Sequence, residues 1–453
     1  MTVPLRDHSM KIRSTLIWAL LLIIFTCIAT LIIARMYTSP QIRYISRVGF
    51  DEPLFEFQSL RIIGSSVYQQ ADIGECIETA SHIEENNFES WCNAWSSTAK
   101  RLHAQADIAL KEHHDISASE LYLRASTYYR AAEFYLHGNP HDKHIKQLSR
   151  YNRDCFARAV SLLTPSIAQI SIPYDNTTLP GYIYHSTSQE PAPTIIVQTG
   201  FDGTQEELYG FARAATKRGY TVITFEGPGQ GAVIREQDLP FRADWEHVIQ
   251  PVIDYIITLA AVDPANIVLY GISFGGYLAP RAACFDHRIK ALIANGGIYD
   301  PLEGIVTNVM KSFPTKDALL QFIENDPKTF DKTITKIMHE QPFMRWFVEH
   351  GMYAFHADSP HDFFLKYGAC SLKNDTERIT ATTLICDGDS EMPALIGQSE
   401  ALFAHIKAPK KLLMFHATEG AGFHCQMGAS LLSHQRILDW LDTTIRSSMK
   451  IDF

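Results

Sequence analysis

Ser273 sits between paired glycines in Gly271-Ile272-Ser273-Phe274-Gly275-Gly276. A hydroxyl becomes a nucleophile once a base takes its proton, and a serine at a strand-to-helix corner flanked by glycine is held out for attack. The base of such a site comes late in the chain, after an acid that orients it. His424, in the loop Glu419-Gly420-Ala421-Gly422-Phe423-His424-Cys425 before the last helical pattern, is the expected base. His416 ends a strand and reads as a satisfied polar residue, while His405 lies on a helix and reads as solvent-facing. For the acid, Asp387-Gly388-Asp389-Ser390-Glu391 offers three carboxylates. Asp389 is the first choice by its reach beyond the strand end, Glu391 stands close behind it, and Asp387 reads as a strand-capping residue.

These residues need elements that converge. Thr194 to Gln198, Thr221 to Phe225, Ile267 to Tyr270, Ile289 to Asn295, Thr382 to Cys386 and Lys411 to His416 are short, apolar, β-prone runs. Helical patterns lie between them, at Gln205 to Lys217, Trp245 to Ala261 and Tyr277 to Phe285, and Ser430 to Met449 closes the chain. That alternation predicts a doubly wound, mostly parallel sheet, whose ligands bind beyond the carboxyl ends of the strands. The loop Gly200-Phe201-Asp202-Gly203 should then lie beside Ser273. A backbone N–H from this loop, at Phe201, and the N–H of Phe274 are the expected oxyanion donors, each typically worth about 3 kcal/mol of transition-state stabilisation.

Upstream the pattern changes. Ser14 to Ala34 is a run of 21 residues without a charge, long enough at about 1.5 Å per residue to span a bilayer core of roughly 30 Å. A single membrane-spanning anchor is expected there rather than a cleaved signal peptide. Its orientation stays open, because Arg6, Lys11 and Arg13 on one side match Arg35, Arg43 and Arg47 on the other. From Glu75 to Leu163 apolar residues recur at helical spacing, with Trp91, Trp95 and the tyrosines of Tyr122 to Tyr135 among them. These aromatics read as the core of a helical domain, the alternative being the roof of a substrate pocket. Ala168 to Tyr174 and Gly181 to His185 predict a hairpin with its turn over Asp175 to Pro180. The expected organisation is a tail (1–13), an anchor (14–34), a linker (35–74), a helical cap (75–165) and an α/β domain (166–453) with a helical insertion at 301–372.

Composition sets outer bounds. Of the 453 residues 46% are hydrophobic and 20% charged, as in a globular protein with a large core. A net charge of −10 and the lack of any long Lys/Arg run argue against a nucleic-acid partner. Eight scattered cysteines without a C-x-x-C pair indicate neither a zinc site nor a disulfide framework. No metal or organic cofactor is expected. The sequons at Asn176 and Asn374 would carry glycans only on a lumenal body.

Taken jointly, Gly200-Phe201-Asp202-Gly203-Thr204-Gln205-Glu206-Glu207, Gly227-Pro228-Gly229-Gln230-Gly231, the Ser273 corner, Gly420 to Cys425, and Leu123 to Phe134 carry a resemblance. The chain resembles fungal polyketide- and pigment-pathway α/β-hydrolases, a group related to 2,6-dihydroxypseudooxynicotine hydrolase. The resemblance covers about residues 75 to 445. It implies a helical cap over an α/β-hydrolase domain, a Ser-His-acid triad, a polyketide-like substrate, a homodimer and, in several members, cleavage of a carbon–carbon bond beside a carbonyl. It also implies that Asp202 helps handle a proton of the ketone or leaving carbanion; by itself Asp202 reads equally as a turn residue. The acid loop looks a residue longer than in the group, and an anchor is not general to it. The functional expectation is a membrane-anchored serine hydrolase acting on a polyketide or polyketide-peptide intermediate. The alternatives are a cyclase or acyltransferase using the same triad, and a non-catalytic membrane scaffold.

Overall fold

The computed structural model describes residues 48–165, 167–188, 191–310 and 313–449. The span expected over Ser14 to Ala34 lies outside these residues. Among the described residues no helix is long and apolar enough to cross a membrane.

Among the described residues five α-helices precede the sheet: α1 (Pro53–Gly64), α2 (Ile73–Ala80), α3 (Phe88–Lys111), α4 (Asp115–Glu133) and α5 (Lys143–Ser161). The segment expected as a linker to residue 74 therefore holds α1 and the start of α2. The Glu52 carboxylate caps α1 through Phe55 N–H and Pro53 opens it, so the start is locally encoded. Phe55 is buried against Trp91, Phe88 and Tyr135, which ties α1 to the cap. Trp91 and Trp95 are fully buried, and the Trp91 indole N–H donates to Ala131 O at 2.8 Å. Most of the cap aromatics thus pack on one another as core.

The α/β part runs β1 (Ala168–Tyr174), β2 (Thr177–Tyr184), β3 (Ala192–Gln198), α6 (Tyr209–Thr216), β4 (Thr221–Phe225), α7 (Gly231–Gln237), α8 (Glu246–Ile256), β5 (Val262–Ile272), α9 (Gly275–Ala283) and β6 (Ile289–Asn295). The insertion follows as α10 (Pro301–Asn308), α11 (Lys316–Asn325), α12 (Pro327–Glu340), α13 (Pro342–Ala354) and α14 (Pro360–Gly368). The chain returns through β7 (Thr382–Gly388), α15 (Gln398–His405), β8 (Lys410–Phe415) and α16 (Ser430–Met449).

One eight-stranded sheet has the order β1-β2-β4-β3-β5-β6-β7-β8. The β1–β2 hairpin and its seam with β4 are antiparallel; every other pairing is parallel. The hairpin turn is tighter than expected, with only Asp175 and Asn176 between the strands and Asp175 at φ 44°. β4 is buried along its whole length, as helices on both faces require. Because β3, β5, β7 and β8 are mutually parallel, the loops that follow them open on one edge of the sheet.

Candidate active site

The corner after β5 forces Ser273 into left-handed backbone at φ 62°. That conformation is costly for a side-chain-bearing residue and persists where the surroundings hold it. Here Ser273 N–H donates to Asn295 O at 2.8 Å. Glycine is required alongside: a Cβ on Gly271 would lie 1.9 Å from Gly275 O, and one on Gly276 would lie 2.2 Å from Gly296 O. The strand and helix can cross this closely only without side chains.

Ser273 Oγ lies 2.8 Å from His424 Nε2, and His424 Nδ1 lies 2.8 Å from Glu391 Oε2. The other Glu391 oxygen accepts Met392 N–H. Glu391 is therefore the carboxylate on the imidazole, and Asp389, the first choice from sequence, is not. Asp389 accepts Ala417 N–H at 2.8 Å and lies 3.1 Å from His416 Nδ1, so it closes the turn after β8. The reason is backbone register. Asp389 N–H bonds Phe415 O, which leaves its side chain beside residues 416–417, and only two residues later does the chain come abreast of His424. Asp387 is buried, accepts Gly388 N–H, and is pushed up to about 7 by burial and by the charge of Glu391.

His424 is buried, which opposes its charged form, but Cys425 and the Glu391 carboxylate raise its pKa well above the ordinary histidine value. Cys425, an unforeseen neighbour, sits at φ 52° with its sulfur 3.5 Å from His424 Nε2 and from Asn295 O. His405 is exposed at the end of α15, where it stacks on Tyr299.

Gly200 abuts the nucleophile's neighbour, since a Cβ there would stand 2.4 Å from Phe274 N. The loop after β3 and the start of α9 thus bring the Phe201 and Phe274 backbones together beside Ser273. Among the described residues neither N–H has a hydrogen-bond partner. The Phe274 ring lies in an aromatic cluster with Phe201, Phe241, Phe355 and Tyr367, the last two supplied by the insertion.

Asp202 is committed to ion pairs. Arg61 from α1 donates to its carboxylate at 2.8 Å, and Arg130 from α4 lies 3.5 Å away. The same arginines hold Glu207 at 2.8 and 2.9 Å. Burial opposes the Asp202 charge, yet Arg61 and Arg130 hold its pKa far below the usual carboxylate range. The proton-handling role implied for Asp202 does not suit a carboxylate so firmly ionised; it fastens the cap to the loop after β3. Among the described residues no group of three or more His, Cys, Asp or Glu is placed to hold a metal ion.

This geometry agrees with comparisons to known proteins. The "Alpha/beta hydrolase family" model matches residues 199–434, and the "Esterase FrsA-like" model matches residues 61–316. The chain belongs to the α/β-hydrolase family. Hydrolase LUC6 of Fusarium sp is 34% identical over 87% of this chain and 97% of its own length. The 20-hydroxy-prefusarin hydrolase FUS2 of Gibberella moniliformis is 33% identical with the same coverage. Among solved structures, 2,6-dihydroxy-pseudo-oxynicotine hydrolase superposes with a TM-score of 0.67 at 20% identity, over 85% of this chain and 96% of that one. The likeness to that structure extends through the helical cap as well as the sheet. The chain is thus a hydrolase whose relatives span nearly its whole described length.

Proposed function

We propose that this hydrolase uses Ser273 to attack a carbonyl of a polyketide or polyketide-peptide intermediate of fungal secondary metabolism. The observation that carries the reading is the continuous relay from Ser273 through His424 to Glu391, with both links at 2.8 Å. His424 Nε2 takes the Ser273 proton as the hydroxyl attacks, and Glu391 keeps Nδ1 protonated and stabilises the imidazolium. The carbonyl oxygen gains charge between the Phe201 and Phe274 N–H groups. His424 then delivers the proton to the leaving group, and water resolves the acyl-enzyme. A carbon leaving group beside a ketone and an ester or thioester oxygen or sulfur both fit this sequence of steps.

Support for the substrate class comes from relatives such as the 20-hydroxy-prefusarin hydrolase. Membrane attachment through residues 14–34 belongs to this reading, supported by their charge-free length; loss of sedimentation with membranes on deleting residues 1–34 tests it. Self-association is tested by the mass of the full chain in detergent.

The deciding experiment compares wild type with Ser273→Ala. A fluorophosphonate should label wild type at Ser273 only, and Ser273→Ala should lose turnover of the pathway intermediate by at least about a thousandfold while keeping its unfolding temperature. Undiminished turnover in that variant would remove the mechanism. Product mass, greater by one water for hydrolysis and unchanged for cyclisation, separates the two uses of the acyl-enzyme.

A further inference from the structure

Four consecutive carbonyls, those of Thr199, Gly200, Phe201 and Asp202, each accept a hydrogen bond from a buried side chain. Gln230 Nε2 donates to Thr199 O at 2.9 Å and to Gly200 O at 3.1 Å. His350 Nε2 lies 2.8 Å from Phe201 O, and Arg130 Nη2 lies 3.4 Å from Asp202 O. Gln230, His350 and Arg130 are 2%, 3% and 4% exposed, so water does not compete for these bonds. The three donors come from three parts of the chain: the turn before α7, helix α13 of the insertion, and cap helix α4.

A trans peptide sets its C=O and the following N–H in opposite directions. Fixing Gly200 O to Gln230 therefore aims the Phe201 N–H away from Gln230. Fixing Phe201 O to His350 stops the next peptide from rotating and carrying the loop with it. Gly200 is already pressed against Phe274 N, so a flipped peptide at this point would place a carbonyl where the developing oxyanion needs a donor. Carbonyl oxygens only accept, so His350 carries its proton on Nε2. Burial and the neighbouring His137 push the His350 pKa down to about 3, which keeps the ring neutral. Its Nδ1 then accepts from His137 Nδ1 at 3.2 Å. His137 Nε2 lies 3.0 Å from Glu133 Oε1, off the direction of a hydrogen bond, and Glu133 is paired twice to Arg235 at 2.8 Å. His350 is thus backed by His137, and Glu133 beside that ring is tied to Arg235 on α7.

We infer that Gln230 and His350 are positioning residues that clamp the carbonyls of residues 199–201 and so hold the oxyanion hole open, making turnover depend on how the insertion is seated. This rests on the reading of Ser273 as the nucleophile. Neither residue touches the reacting atoms; each acts through the Phe201 peptide.

The test compares His350→Gln, which can still donate, with His350→Met, which is of similar length and cannot. Turnover is read with p-nitrophenyl butyrate, and 1,1,1-trifluoro-2-octanone serves as an analogue whose hemiketal oxygen occupies the oxyanion position. His350→Met should lower kcat by about 10- to 100-fold with KM within about twofold of wild type. Its inhibition constant for the ketone should rise in proportion to the fall in kcat/KM, and His350→Gln should restore most of both. Equal turnover and equal ketone affinity in the two variants would overturn the clamp. If His350→Met does not fold, Gln230→Met carries the same expectation and the same reversal. A wild-type protein that neither turns over the ester nor takes a fluorophosphonate at Ser273 would instead sink the reading of the site, and the clamp with it.

Discussion

At the scale of single residues, the site turns on which carboxylate meets His424. Asp389 and Glu391 are two residues apart, and the backbone bond from Asp389 to Phe415 decides between them. Glu391→Ala should lower kcat by about 10³- to 10⁴-fold, whereas Asp389→Ala should cost less than about tenfold, since it loosens only the turn at residues 416–417. Glu391 also sets the pH response. Catalysis needs neutral His424, so kcat/KM rises with pH as the imidazole loses its proton. Burial alone would put that limb low; Cys425 and Glu391 move it above the usual histidine range. Glu391→Gln removes the carboxylate that favours imidazolium, so the limb should shift to lower pH while the plateau falls. A limb unmoved in Glu391→Gln would mean that another group governs it.

At the scale of elements, α1 is the cap's fastener. Arg61 in its last turn bonds both Asp202 and Glu207, which lie on either side of the turn that leaves the sheet after β3. All three side chains are largely buried, at 14%, 13% and 21% exposure. Removing one partner of such a group leaves charge without compensation, which typically costs about 3–5 kcal/mol. With a second arginine left on both carboxylates, Arg61→Met should lower stability in urea titrations by less than that full amount, about 1–3 kcal/mol. Because Arg130 still holds both carboxylates, the loss should fall short of unfolding the protein outright. A change below about 0.5 kcal/mol would show that the pair is solvated in solution. The insertion is the second structural control, since α13 and α14 bring His350, Phe355, Phe363 and Tyr367 against Phe201.

At the scale of the whole molecule, buried acids of opposite character bound the pH range of stability. Glu133 and Asp202 are held low by arginines despite their burial, so they stabilise the fold above the normal carboxylate pKa and that contribution is lost as pH falls toward their folded values. Glu206 is the reverse case. It is 2% exposed, neither carboxyl oxygen has a hydrogen-bond partner among the described residues, and burial together with the charge of Glu226 pushes it up to about 8. Its folded pKa is raised, so its cost is absent in acid and grows as pH climbs from the unfolded value of about 4.3 to about 8. Glu206→Gln should unfold at a higher temperature than wild type at pH 9 and at nearly the same temperature at pH 5. Parallel unfolding curves at both pH values would refute the assignment.

Much of this was legible in the sequence because it is local. The Gly-Ser-Gly corner, the apolar strands with helices between them, the closing helix Ser430–Met449 and His424 in its loop each depend on a few neighbouring residues whose types dictate backbone shape. Gln230 was visible inside its glycine-rich motif, though nothing in the motif told which carbonyls it would hold. The choice of Glu391 over Asp389, the pairing of Asp202 with Arg61 and Arg130, and the arrival of His350 behind Phe201 were decided by tertiary structure alone. Those contacts join residues 33, 141, 72 and 149 positions apart. Hydrogen bonds and ion pairs act over a few ångströms in space, and no spacing along the chain reports that distance once loops, a cap and an insertion lie between the partners.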